Sequence, residues 1–106
     1  MHYTSLDAFV NDLPALAERC RDRLRGHDAL FLLETRQGRR AYISLKDGLV
    51  HVSGSSEGQP VCTVRADEEL LLDLICGRVS PMKALLTRRV TIEGNPAPLM
   101  NLIRLL

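Results

Sequence analysis

Two hydrophobic periods divide this chain. Leu6, Phe9, Val10, Leu13, Leu16, Ala17, Cys20 and Leu24 recur at steps of three and four, which places them on one face of a helix. Thr4 or Ser5 stands where an N-cap is needed, and Gly26 ends the run. Pro14 falls inside it. A proline removes a backbone donor and collides with the carbonyl four residues back, so the pattern predicts a kink or break there, with Asp12 capping a second piece. The other face holds Glu18, Arg19, Asp22, Arg23 and Arg25, a solvated surface with weak ion pairs.

From Ala29 onward the period drops to two. Ala29–Arg36 begins apolar and ends polar, and Gln37-Gly38-Arg39 reads as a turn. In Arg40–Lys46, Ala41, Ile43 and Leu45 point one way while Tyr42 and Ser44 point the other. Asp47-Gly48 is a strong two-residue hairpin signal. Val50 and Val52 share a face of Leu49–Ser53, Gly54–Pro60 is a polar loop, and Cys62, Val64 and Ala66 alternate within Val61–Ala66. Such alternation marks strands with one buried face, and a sheet of them needs helices on a single side.

Asp67 then caps a helix, with Glu68 and Glu69 near its positive end. Leu70, Leu71, Leu74 and Ile75 form its stripe and Gly77 stops it. Ser80-Pro81 starts a short helix whose apolar residues are Met82, Leu85 and Leu86. Arg89–Glu93 reads as a fifth strand with Val90 and Ile92 facing in, Gly94-Asn95-Pro96 turns, and Ala97–Leu106 closes as a helix. In that last helix only Asn101 and Arg104 are polar. A helix apolar nearly all round must be covered nearly all round. It roofs an apolar cavity, packs on a second subunit, or lies deep in the core. The fold class is therefore α+β: a five-stranded, largely antiparallel sheet with helices packed on one face. One domain spans 1–106, with a helical segment at 1–27, a strand meander and fourth strand at 29–66, and the remaining helices and strand at 67–106.

Composition narrows the function. The chain has 106 residues, 45% hydrophobic, 25% charged and 4% aromatic, with a net charge of +1. That balance does not support nucleic-acid binding, and the scattered aromatics offer no stacking platform. The longest apolar run is five residues, Ala29–Leu33, far short of the roughly 20 a membrane span requires. The N-terminus has no basic stretch followed by an apolar core. These features point to a cytoplasmic, bacterial protein. Cys20, Cys62 and Cys76 show no metal-ligand spacing and read as small buried hydrophobes in a reducing compartment. His2, His27 and His51 are isolated, no glycine-rich phosphate loop is present, and the aspartates have turn or capping roles. Nothing argues for catalysis, a metal or a cofactor.

The order of elements resembles the sterol carrier protein 2 domain. The best local match is GRVSPMKALLTRRVTIEGN, residues 77–95, in which Gly77-Arg78-Val79-Ser80-Pro81-Met82-Lys83-Ala84 is followed by Val90, Ile92 and Gly94. LKDGLVHVSGS, residues 45–55, resembles the family's hairpin, and Asp67–Leu74 its Asp-led helix. The likeness runs from about Leu30 to Leu106. The chain departs from the pattern at Arg88, where the family usually has Gly, and at Asn95 and Val61, where Asp is usual. It also departs at Leu85, where an aromatic is common, and through the stiff Pro96 and Pro98. The resemblance implies a non-catalytic fold whose apolar tunnel, between helices and sheet, takes fatty acyl chains, sterols or other lipids. It places Ile43, Leu71, Leu74, Ile75, Met82, Leu85, Leu86, Leu99, Leu102, Ile103 and Leu106 against the ligand. Arg78, Arg88 or Arg89 would meet a head group, though solvated arginines at a strand edge are the plainer reading. The alternative is an interaction or dimerisation module without ligand, accessory to a lipid-metabolising enzyme and using the C-terminal helix.

Overall fold

The computed structural model describes residues 3–55 and 58–105, with the backbone alone at 81 and 103–105. The elements in order are α1 (Leu6–Arg19), α2 (Arg21–Leu24), β1 (Ala29–Thr35), β2 (Arg40–Lys46), β3 (Leu49–Ser53), β4 (Cys62–Ala66), α3 (Glu68–Ile75), α4 (Pro81–Leu86), β5 (Val90–Gly94) and α5 (Ala97–Leu105). The sheet order is β3-β2-β1-β4-β5. β1 and β4 run parallel and the other three pairs antiparallel, so the predicted α+β class and largely antiparallel sheet are borne out.

The turn chemistry explains the meander. Asp47 and Gly48 have φ of +53° and +78°, the two positive values of a type I′ turn, which matches the twist of the strands it joins. Lys46 therefore faces Leu49 in register. Alternation then sorts the side chains. Phe31, Ile43, Leu45, Val50, Cys62, Val64, Ala66 and Val90 lie on one sheet face and join Leu6, Val10, Leu13 and Ala17 of α1 in a single core. The other face holds the buried Leu32 and Thr63, and among the described residues no helix side chain of that core lies on it. It is ordered by Glu34, which pairs with both Arg40 and Arg65, and by Arg65 reaching Glu93. The hydrogen bond from Arg65 to Glu34 raises its guanidinium pKa above the ordinary arginine value, and these exposed pairs add little to stability.

Three local expectations need correction. α1 runs unbroken through Pro14. The interior proline costs about 3 kcal/mol, but burying Leu6, Val10, Leu13 and Ala17 on one line offsets that at roughly 1.5–3 kcal/mol per large side chain. The break comes instead at Cys20, which ends α1 and precedes α2. Asp12 caps nothing: it accepts the Tyr3 hydroxyl at 2.6 Å, and that bond raises the Tyr3 pKa. Ser5 does cap α1, accepting from Ala8 N–H at 3.1 Å. Asp67 and Ser80 occupy cap positions without a side-chain cap bond; Asp67 turns to Gln37 and Arg36.

α3 and α4 end alike. After α3, Gly77 N–H bonds Leu74 C=O and Arg78 N–H bonds Asp73 C=O, with Gly77 at φ +76°. After α4, Arg88 N–H bonds Leu85 C=O and Arg89 N–H bonds Ala84 C=O, with Arg88 at φ +59°. Both are Schellman closures, which call for a left-handed residue just past the helix. Glycine fills that place once and arginine once.

Candidate functional site

The apolar layer between helices and sheet is not sealed evenly. Leu6 is 1% exposed, Leu13 2%, and Ala17 and Leu24 are fully covered, while Phe9, Ala29, Leu33 and Val52 pack half-buried against the same core. A second half-buried group comes from the C-terminal half. Leu74 and Ile75 of α3, Val79 of the following loop, Ile92 of β5 and Leu99 of α5 are only half-buried, yet all pack against the core. This second group is the candidate site.

Six of the eleven expected lipid-binding positions meet in this layer. Ile43, Leu71 and Leu102 belong to the buried core, and Leu74, Ile75 and Leu99 pack half-buried against it. The side chain of Ile103 and the whole of Leu106 lie outside the described residues. Met82, Leu85 and Leu86 are not brought there. They stand at the surface, 66%, 42% and 77% exposed, and α4 turns Ala84 inward instead. A six-residue helix that meets the core through one small residue leaves its long side chains outside. Sequence reasoning left Val79 and Ile92 out of the site. Both signals were available: Ile92 alternates with Val90, and Val79 follows the Gly77 turn.

The last helix answers its own puzzle only in part. Leu102 is buried, Leu99 is half-buried and Met100 is half-exposed, and α5 lies against α2. Two surface clefts are described. One, of about 360 Å³, is acidic and bounded by Asp67, Glu68, Glu69, Asp73 and Arg89. The other, of about 440 Å³, lies between α1 and β3 around Pro14, His51 and Val52. Neither is lined by any of the expected lipid-binding positions.

The polar groups stand at the rim. Arg78 is held by Asp73 at 2.8 Å, a bond that raises the arginine's pKa. Arg89 borders the acidic cleft, and Arg88 is exposed. His27 and His51 are exposed, as a solvated reading requires. Cys20 and Cys62 are buried and free, and burial pushes the Cys62 thiol pKa up. Cys76 departs from the expected burial. It is half-buried, and its Sγ lies 3.5 Å from Tyr3 N–H. Among the described residues no cluster of three or more His, Cys, Asp or Glu side chains is placed to hold a metal, and no helix is long and apolar enough to cross a membrane.

Half-buried apolar side chains therefore stand together with the core on an α+β frame. The chain belongs to the SCP-2 sterol transfer family, whose sequence profile matches residues 10–106; the resemblance carried by residues 77–95 is borne out. Among curated proteins, none matches the chain in sequence at a significant level. The fold recurs in the ubiquinone synthesis protein UbiJ-SCP2, at 18% identity and TM-score 0.69, covering 93% of each chain. It recurs in the sterol carrier protein domain 2 of Helicoverpa armigera, at 22% identity and TM-score 0.70, covering 92% of this chain and 82% of that one. It also recurs within the sec-alkylsulfatase Pisa1 from Pseudomonas sp., at 19% identity and TM-score 0.74 over 81% of this chain. The chain corresponds to only 14% of that alkylsulfatase's length.

Proposed function

We propose that this domain binds a lipid-like apolar ligand, a fatty acyl chain or sterol-like molecule, without catalysing a reaction on it. The observation that carries this reading is the group of half-buried apolar side chains Leu74, Ile75, Val79, Ile92 and Leu99, which α3, the loop after it, β5 and α5 pack against the core. An acyl chain laid against this group gains roughly 0.8 kcal/mol per methylene buried and needs no directional partner. The ligand would lie between α3, α5 and the sheet, with Ile43, Leu71 and Leu102 beneath it. The domain would work in the cytoplasm, alone or beside an enzyme that acts on the same ligand. The similar folds in a ubiquinone synthesis protein and an alkylsulfatase support a role of that kind.

Native mass spectrometry of protein purified from its host, with titration of a fluorescent fatty acid, tests the reading. A bound lipid and saturable probe binding are expected. Leu99→Gln or Ile75→Gln puts an unpaired amide against the ligand at a cost of roughly 1–3 kcal/mol, so probe affinity should fall about tenfold with the fold intact. A ligand-free dimer that these variants turn into monomers would replace this reading with that of an interaction module.

A further inference from the structure

α4 is amphipathic the wrong way round for a helix in water. Its buried residue is Ala84, 1% exposed. At about 100° per residue, Met82 and Leu86 each stand about 160° from it, on the outermost line of the helix. They are 66% and 77% exposed. Leu85, on the flank, is 42% exposed. A helix resting on a core by one stripe normally turns polar residues outward. Here the outward line is methionine and leucine.

The charge around that line has one sign. From Leu74 to Ile92 the sequence holds Arg78, Lys83, Arg88 and Arg89 and no carboxylate. Arg78 is tied to Asp73 and Arg89 borders the acidic cleft. Lys83 and Arg88, both exposed, form no ion pair among the described residues. Arg88 also holds a left-handed conformation, φ +59°, that disfavours any side chain. An exposed cation thus stands, against backbone preference, just past an outward apolar line.

We propose that α4 docks the protein onto an anionic phospholipid surface. Met82, Leu85 and Leu86 would enter the boundary between head groups and acyl chains, while Lys83 and Arg88 meet lipid phosphates. The chemistry favours lipid over a protein partner. Six helical residues span about 9 Å, whereas a stable protein interface takes about 800 Å² from each side and is anchored by aromatic residues. This stretch has none. α4 packs beside β5, which carries Ile92 of the half-buried group, so docking would bring that group towards the membrane. The inference stands on α4 alone and holds whether or not the group carries a ligand.

Vesicle flotation of the whole chain tests it, using phosphatidylcholine with and without phosphatidylglycerol at low and high salt. The protein should float with the anionic vesicles, and less at high salt. Met82→Asp with Leu86→Asp should cut vesicle partitioning by about tenfold or more, and Lys83→Glu with Arg88→Glu by at least several-fold. Thermal melts of both variants should match the parent, because the altered side chains are exposed. Fatty acid probe binding without vesicles should stay unchanged, which separates this surface from the proposed ligand site. Three results overturn the proposal: no flotation of the parent, full flotation of the Met82→Asp/Leu86→Asp variant, or flotation lost only on reversing Arg21, Arg23 and Arg25 of α2. A parent dimer that the aspartate variant dissociates, without vesicle binding, would assign α4 to a second copy of the chain.

Discussion

Replacing Arg88 with glycine should stabilise this protein. Arg88 is the left-handed residue of the closure after α4, with Arg88 N–H on Leu85 C=O at 3.1 Å and Arg89 N–H on Ala84 C=O at 2.9 Å. A side chain in that conformation costs roughly 1–2 kcal/mol. Glycine removes the cost but returns about 0.5–1 kcal/mol through its freer unfolded chain. The net gain is about 0.5–1 kcal/mol, which in a domain of this size raises Tm by about 2–8 °C. The companion experiment lies at Gly77, which closes α3 through the same pair of bonds at φ +76°. A Cβ there would meet nothing within 4 Å, so Gly77→Ala isolates the conformational cost and should lose about 1 kcal/mol. Urea unfolding followed by circular dichroism reads both, with m unchanged. Destabilisation by Arg88→Gly, or a neutral Gly77→Ala, would refute the assignment. The same Arg88→Gly variant should bind anionic vesicles less well, so stability and docking would move in opposite directions.

Other outcomes follow from the packing and the titrating groups. Pro14→Ala restores the missing backbone donor inside α1 and should add about 1–3 kcal/mol, read by the same urea unfolding. A thiol reagent should modify half-buried Cys76 first, with Cys20 and Cys62 protected until the chain unfolds. Burial raises the Cys62 pKa and the bond to Asp12 raises that of Tyr3. A raised folded pKa gives stability that is complete below the unfolded value and lost as pH climbs through the folded one. Stability should therefore hold through neutral pH and decline above about pH 9, and Tyr3→Phe with Cys62→Ala should flatten that decline in urea titrations.

The strands were legible because alternation and turn chemistry are local. Asp47-Gly48 specifies its own turn, and Ala41, Ile43, Leu45, Val50 and Val52 then have one face available to bury. The elements misread were those decided by tertiary packing. Pro14 reads as a breaker, but four buried side chains hold the helix across it. Asp67 and Ser80 sit at the right cap positions, yet their side chains bond elsewhere or not at all within the helix. In the candidate site, Leu71, Leu74, Ile75, Leu99 and Leu102 were legible from their stripes. Met82, Leu85 and Leu86 were not, because a short helix with few polar residues has no periodicity to say which side faces in. The contact of Ala84 settles it, and an alanine gives no hydrophobic signal strong enough to outweigh two leucines and a methionine.

The single parallel seam between β1 and β4 has a consequence for how the chain is made. β1, β2 and β3 close through short turns, an event of microseconds. β4 reaches β1 only after the whole meander and the loop beyond it have been laid down, with Phe31 set opposite Cys62 and Leu33 opposite Val64. Until then the Ala29–Leu33 run, the longest apolar stretch of the sequence, has one unpaired edge. Such an edge is a template for another chain, and long-range pairing of this kind is slow. During synthesis on the ribosome, aggregation therefore competes with one event, the docking of Cys62–Ala66. Substitutions that weaken the seam should lower soluble yield more than their effect on final stability would suggest.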